Sequence, residues 1–75
     1  MFIAIMCGET LRARSKESLF RKVARALGGN GYRSRLDCWT EDGREQVYEI
    51  TATTHLPRQG CSEINGRAFV TVRKN

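Results

Sequence analysis

The chain has 75 residues, of which 40% are hydrophobic and 28% are charged, and its formal net charge at pH 7 is +5. This length predicts one domain with a small core, and the composition is that of a folded protein and not of a disordered segment. A large enclosed substrate pocket is not expected, because the pocket would take the volume that the core needs.

The positive charge is concentrated in the first half of the chain. Residues 1–36 contain eight Lys or Arg and two Glu, whereas residues 37–75 contain five Lys or Arg and six Asp or Glu. This asymmetry predicts a positive region on the surface, which would speed encounter with an anionic partner. Charge alone does not distinguish nucleic acid from an acidic protein.

The chain begins with an apolar segment, residues 1–7, that is followed by Gly8 and Glu9. The segment has no basic region before it and is much shorter than a membrane span. We therefore expect a buried first strand, a cytoplasmic location and no membrane partner.

Three cysteines are widely spaced along the chain at Cys7, Cys38 and Cys61. They form no close pair of the kind that zinc sites use, although the three thiols and His55 would supply four ligands in total. We expect small buried thiols in a reducing compartment, with no metal and no cofactor.

Residues 2–7 and 10–14 are predicted to form a hairpin around a two-residue type II′ turn at Gly8-Glu9. In that register Met6 lies opposite Leu11. The alternative for the second segment is a short extended lead into the following helix.

A helix is predicted from Lys16 to Leu27. Ser15 is a favourable N-cap residue, and Gly28-Gly29 suits the left-handed conformation that often follows a helix. The apolar stripe has helical spacing. Its members are Leu19, Phe20, Val23, Ala24 and Leu27.

The clearest pattern is a second hairpin, residues 32–40 and 44–53, closed by the three-residue loop Glu41-Asp42-Gly43. The register that this loop sets separates apolar from charged side chains, as a sheet with one buried face requires. The predicted opposite pairs are Leu36–Tyr48, Ser34–Ile50, Tyr32–Ala52, Arg35–Glu49 and Trp39–Glu45.

Residues 55–62 are predicted to be a loop. The dipeptide Asn65-Gly66 is typical of a two-residue hairpin turn, which would join a short strand at residues 62–64 to a final strand at residues 67–72.

Together these elements predict an α+β fold, an antiparallel sheet of about four to five strands in the order β-β-α-β-β-β with one helix packed on one face. The other face would be open to solvent. The side chains that the sheet is expected to contribute to the core are Leu36, Tyr48, Ile50, Val70 and Val72.

The open sheet face is the first candidate site. An exposed tryptophan beside arginines is typical of an interaction hot spot and also suits the stacking of unpaired bases; the alternative is that Trp39 packs against the sheet end or the following loop. Carboxylates on the same face would repel phosphates, which favours a protein partner. The predicted partner-binding residues are Arg33, Arg35, Trp39, Glu45 and Glu49.

The basic helix and the residues before it are the second candidate, because clustered cations can contact phosphates. An ordinary solvated helix face is the alternative, since no RNA-binding aromatic motif, no phosphate-binding glycine loop and no zinc-finger spacing accompanies the cations. The predicted basic surface is Arg12, Arg14, Lys16, Arg21, Lys22 and Arg25.

Catalysis is not expected, because acid–base or nucleophilic chemistry needs convergent groups. The chain has one histidine, His55, in a predicted loop; a small ribonuclease is the enzymatic alternative.

The acidic cluster within residues 37–49 is typical of a solvated hairpin tip. Its functional interpretation is a docking surface for a basic partner.

No family motif is visible in the sequence. Short, self-contained chains with mixed charged faces are common among accessory proteins of phages and mobile elements. By class alone, the hypothesis is a non-enzymatic protein that binds and inhibits a host protein or nucleoprotein complex, as anti-CRISPR proteins do. The alternative is a small basic DNA- or RNA-binding module, and both a monomer and a homodimer are compatible with the sequence.

Overall fold

In the computed structural model, which describes residues 1–6 and 8–74, one helix packs on an antiparallel sheet of five strands. The predicted α+β fold and element order are therefore confirmed. The elements are β1 (Phe2–Met6), β2 (Glu9–Ala13), α1 (Lys16–Ala26), β3 (Gly31–Trp39), β4 (Glu45–Leu56) and β5 (Cys61–Lys74).

The strands lie in the order β2-β1-β5-β4-β3, so the last strand of the chain is the central strand of the sheet. β5 pairs antiparallel with β1 on one side and with β4 on the other. β4 and β5 continue as a two-stranded arm, residues 53–64, in which only Thr53 still pairs with another strand, at Gly31 of β3. The molecule is elongated, with principal extents of 45 × 21 × 20 Å.

Helix α1 begins and ends as its sequence predicts. The Ser15 side chain accepts a hydrogen bond from the backbone N–H of Ser18 at 3.1 Å, which satisfies one of the free donors of the first turn. Gly28 follows the helix with φ of 87°, and the N–H of Gly29 donates to the carbonyl of Ala24 at 2.9 Å. This bonding pattern is a Schellman motif.

The core lies between α1 and the sheet. The apolar stripe of the helix is buried, and the Phe20 ring packs 4.9 Å from the Tyr48 ring and 5.8 Å from the Tyr32 ring, measured between centroids. The core cluster consists of Ala4, Met6, Ala13, Leu19, Phe20, Val23, Ile50, Val70 and Val72.

The predicted register of the first hairpin is wrong. Met6 pairs with Glu9 and Ala4 with Leu11. Each residue of β1 therefore lies opposite a residue two positions earlier in β2 than a Gly8-Glu9 turn would give. Gly8, with φ of 82°, lies in the turn itself. Because the shift is two residues, the side chains keep their predicted faces.

The predicted loop at residues 55–62 and turn at Asn65-Gly66 are also wrong. β4 runs on to Leu56, and the reversal is the four-residue turn 57–60, in which Pro57 is the first residue and Gly60, the last, has φ of 63°. Asn65 is instead an extra residue inside β5, between the pairs Ala52–Gly66 and Thr53–Ile64. It forms a β-bulge, and the Thr54 hydroxyl donates to its side-chain oxygen at 2.5 Å.

The second hairpin has the predicted register from Tyr32 to Leu36, but the prediction fails beyond that point. The register shifts between Leu36 and Cys38, so Trp39 pairs with Gln46 and not with Glu45. Asp37 is the extra residue of this bulge. Leu36 itself is not a core residue: it is 43% exposed and lies on an edge strand, four residues beyond Tyr32, which packs against the helix residue Phe20.

A glycine-to-alanine substitution tests how closely the helix end packs on β4. An ideal Cβ at Gly29 would lie 2.8 Å from the carbonyl oxygen of Thr53, whereas a Cβ at Gly66 would meet only Leu27 atoms at 3.9 Å. We expect Gly29→Ala to lower the free energy of unfolding by about 1–3 kcal/mol through overpacking. In urea denaturation, Gly66→Ala is the matched control and should change stability by less than about 1 kcal/mol; equal effects would contradict the packing.

Candidate binding surfaces on the two faces of the sheet

The sheet face opposite the helix, called the open face below, carries an exposed apolar centre. In the register, Ile5 lies opposite Thr71, and Thr71 lies opposite Val47. Phe69 follows two residues away on the same face of β5. Phe69 is 59% exposed and Ile5 is 46% exposed, so a large part of each residue is in contact with solvent.

Arginines surround this apolar centre. Arg35 donates to the Glu49 carboxylate at 3.3 Å and lies 3.7 Å from the Asp37 carboxylate. Both ion pairs are exposed, so each contributes at most about 1 kcal/mol to stability. The register places five arginines on the open face: Arg12, Arg33, Arg35, Arg67 and Arg73.

The predicted partner-binding residues therefore separate into two groups. Glu45 and Glu49 lie on the open face with the arginines, as predicted. Trp39 lies on the other face, because the bulge at Asp37 reverses the alternation of β3 for the residues that follow. Its register partner Gln46 is opposite the buried core residue Val72.

Trp39 lines a cleft on the helix side of the sheet, at the corner where α1 begins. The cleft has a volume of about 250 Å³, and Trp39 is 57% exposed in it. The residues that line this Trp39 cleft are Phe2, Lys16, Trp39, Arg44, Gln46, Val72 and Lys74.

Lys16 is held inside the Trp39 cleft by side chains of β4. Its ammonium donates to Gln46 Oε1 at 2.8 Å and to the Tyr48 hydroxyl at 3.1 Å. The same ammonium lies 5.8 Å from the centroid of the Phe2 ring and 5.4 Å from that of Tyr48, within the range of cation–π attraction. An ammonium has three N–H donors, so one remains for a ligand.

The loop between β3 and β4 positions Arg44 at the cleft. Asp42 Oδ1 accepts hydrogen bonds from the Thr40 hydroxyl at 2.7 Å and from the Arg44 backbone N–H at 3.0 Å. The bond from Thr40, followed by the bond from Arg44, lowers the pKa of the Asp42 carboxyl below its ordinary value of 3.8. The ionised carboxylate therefore fixes the backbone from which Arg44 extends.

The predicted basic surface is not one patch. Lys16 faces the sheet, Arg12 lies on the open face, and the Lys22 ammonium donates to the Arg12 carbonyl at 2.5 Å across the edge of the domain. The other three predicted residues, Arg14, Arg21 and Arg25, are also exposed and lie around the helix and the residues before it.

The cysteines and the histidine do not gather at either surface as a ligand set. Cys38 and Cys61 are both exposed, so the expectation of buried thiols is wrong for them; Cys7 lies outside the described residues. His55 is exposed on the arm, where its backbone N–H donates to Asn30 Oδ1 at 3.3 Å. Within residues 1–6 and 8–74, no three His, Cys, Asp or Glu side chains are placed to hold a metal ion.

Helix α1, the helix among the described residues, is not long and apolar enough to cross a membrane.

Sequence reasoning missed the residues at the centre of the open face. Phe69 and Ile5 belong to segments whose other apolar members are core residues, and composition does not show which alternate residue faces the helix. Strand alternation is the signal that could have found Phe69, because it places Phe69 on the face opposite the core residue Val70.

Comparisons of the chain with protein-family models, with curated proteins and with solved structures return no match.

Replacing Trp39 tests whether its side chain supports the fold. We expect Trp39→Ala to change the free energy of unfolding by less than about 1 kcal/mol, because the side chain is more than half exposed. Phe20→Ala, which removes a ring that is 5% exposed, should cost about 3–5 kcal/mol. Chemical denaturation followed by far-UV circular dichroism measures both, and a Trp39→Ala variant that unfolds would show that Trp39 is structural.

The titration of Asp42 tests the loop that holds Arg44. Because the pKa of Asp42 is lowered in the folded state, the carboxylate's contribution is present above pH 3.8 and is lost as pH falls through the lower, folded value. Carboxyl NMR titration should give a pKa below 3.8. Thr40→Val should move that pKa back toward the ordinary value, and an unchanged pKa would contradict the hydrogen bond from Thr40.

Proposed function

We propose that this domain acts by binding another protein through the open face of its sheet, and not by catalysis. The observation that carries the proposal is the exposed Phe69, 59% accessible on the central strand of a face that the helix does not cover. Aromatic side chains surrounded by arginine are enriched in protein interfaces.

The charges of the open face define the chemistry of the partner. Five arginines surround the apolar centre, and Arg35 is already paired with Glu49. The partner surface that complements this arrangement has an apolar centre and an acidic rim. Such complementarity sets orientation and the rate of association more than affinity, so Phe69 and Ile5 supply the larger share of the binding energy.

The domain would act by covering a surface of its partner. The sequence-based hypothesis of a phage- or mobile-element accessory protein, one that inhibits a host protein or nucleoprotein complex, fits this mode, since covering a surface requires no catalytic group. The sequence-based hypothesis proposes which kind of partner is bound, whereas the open face is the surface proposed to bind it.

A matched pair of substitutions tests the open face. Phe69 is 59% exposed on the open face, and Leu36 is 43% exposed on the helix side of the sheet, opposite Tyr48. We expect Phe69→Ser to weaken partner binding by at least about tenfold, as removal of an interface anchor does, and Leu36→Ser to leave it unchanged. The partner is first isolated by a tagged pull-down from bacterial lysate with and without nuclease, and binding of each variant is then measured by calorimetry.

The exposed cysteines give an independent readout of the same contact. Cys38 lies opposite Val47 on the open face, and Cys61 lies on the arm. Partner binding should protect Cys38 from alkylation by iodoacetamide and leave Cys61 reactive, as located by peptide mass spectrometry. Equal reactivity of Cys38 with and without the partner, together with unchanged binding by Phe69→Ser, would reject the open face as the interface.

A further inference from the structure

We propose that the Trp39 cleft is a second binding site, which takes unpaired nucleic acid by stacking a base on Trp39 and contacting phosphates through Lys16, Arg44 and Lys74. The site is on the opposite side of the sheet from the open face and does not depend on the proposed protein contact. It uses a different set of residues, so the two sites can be tested separately.

The tryptophan provides the stacking surface. Trp39 is the single tryptophan of the chain, and more than half of its surface is exposed at the end of an edge strand. Burying an aromatic ring contributes more favourable free energy than burying most side chains. Stacking of a base on such a ring contributes about 1–3 kcal/mol to binding. An exposed ring that the fold does not use is therefore a substantial source of binding energy.

The charges of the cleft select an anionic ligand. Three of the seven lining residues are cations, and none is an acid. The neighbouring Asp42 carboxylate is engaged by Thr40 and by the backbone of Arg44, and Glu45 lies on the other face. Lys16 is anchored by Gln46 and Tyr48, so its charge is already in place and little side-chain entropy is lost when a phosphate binds.

Gln46 adds a polar contact of the kind that base edges need. Both of its side-chain hydrogen bonds use Oε1, which accepts from Lys16 and from the Tyr48 hydroxyl. The amide nitrogen is therefore a donor for a ring nitrogen or carbonyl of a base stacked beside it.

Two features favour nucleic acid over other anionic ligands. A run of Asp and Glu would use the three cations but offers Trp39 no aromatic ring to stack on, whereas unpaired bases and phosphates together match an aromatic ring with adjacent cations. The cleft, at about 250 Å³, is smaller than the roughly 300–1,000 Å³ of sites that enclose a small molecule. It suits one planar group carried on a chain that continues across the surface.

The intrinsic fluorescence of Trp39 reports directly on this site. We would titrate the protein with a single-stranded oligonucleotide of about ten deoxythymidines, within the roughly 4–16 nucleotides that comparable sites occupy, and record Trp39 emission and oligonucleotide anisotropy together. We expect the emission to be quenched at saturation. The logarithm of the affinity should fall linearly with the logarithm of salt concentration, by about 0.7 per phosphate contacted.

Charge-removing variants locate the contact. Arg44→Gln and Lys74→Gln should each weaken binding severalfold and reduce the salt slope by about 0.7; both side chains are exposed, so the fold is expected to persist. Lys16→Arg should retain binding, while Lys16→Gln should lose it. Arg21→Gln and Arg25→Gln, on the exposed side of α1, are the matched controls and should bind as the parent protein does.

Three results would overturn the assignment. The first is the absence of any binding at low salt. The second is binding that leaves Trp39 emission unchanged and depends on the control arginines, which would place the ligand on the helix. The third is displacement of the oligonucleotide by poly-glutamate at equal charge concentration, which would identify an acidic protein surface as the ligand. Protection of Cys38 by a protein partner would be unaffected by any of these results.

Discussion

The eleven-residue helix is too short to cover the five-stranded sheet on which it packs. This difference in size determines which surfaces of the sheet stay exposed. At about 1.5 Å per residue the helix is roughly 16 Å long, whereas the fourteen residues of β5 extend about 45 Å at roughly 3.3 Å per residue. The helix can therefore bury one face along part of the central strands. The open face, the arm and the corner at Trp39 stay in contact with solvent.

One inserted residue then divides the exposed surface into two chemically different parts. Without the bulge at Asp37, strand alternation would place Trp39 beside Arg33 and Arg35 on the open face. With the bulge, the open face keeps an apolar centre formed by Phe69 and its neighbours, and the tryptophan joins the cations on the helix side. The two proposed binding sites therefore lie on opposite sides of the sheet and share no residues.

The sequence predicted what depends on local rules and missed what depends on neighbours. The helix ends and the register from Tyr32 to Leu36 follow from capping preferences and from alternation, and both are confirmed. The two bulges were missed, because an extra residue such as Asp37 changes no local preference and is favoured only by the twist of the assembled sheet. Asn65-Gly66 was misread because the same dipeptide suits a turn and a bulge. The predicted placement of Trp39 was wrong because the bulge at Asp37 was missed.

The central position of β5 also sets the order in which the sheet can be completed during synthesis. The β1–β2 and β3–β4 hairpins share no backbone pairing with each other, and β5 is the strand that joins them. A chain that lacks β5 can pair its strands only within the two hairpins, and each hairpin then has an edge that would pair with the same missing strand. Unpaired strand edges of this kind favour association with other chains. The sheet can therefore be completed only when residues 61–74 are available to join the two hairpins.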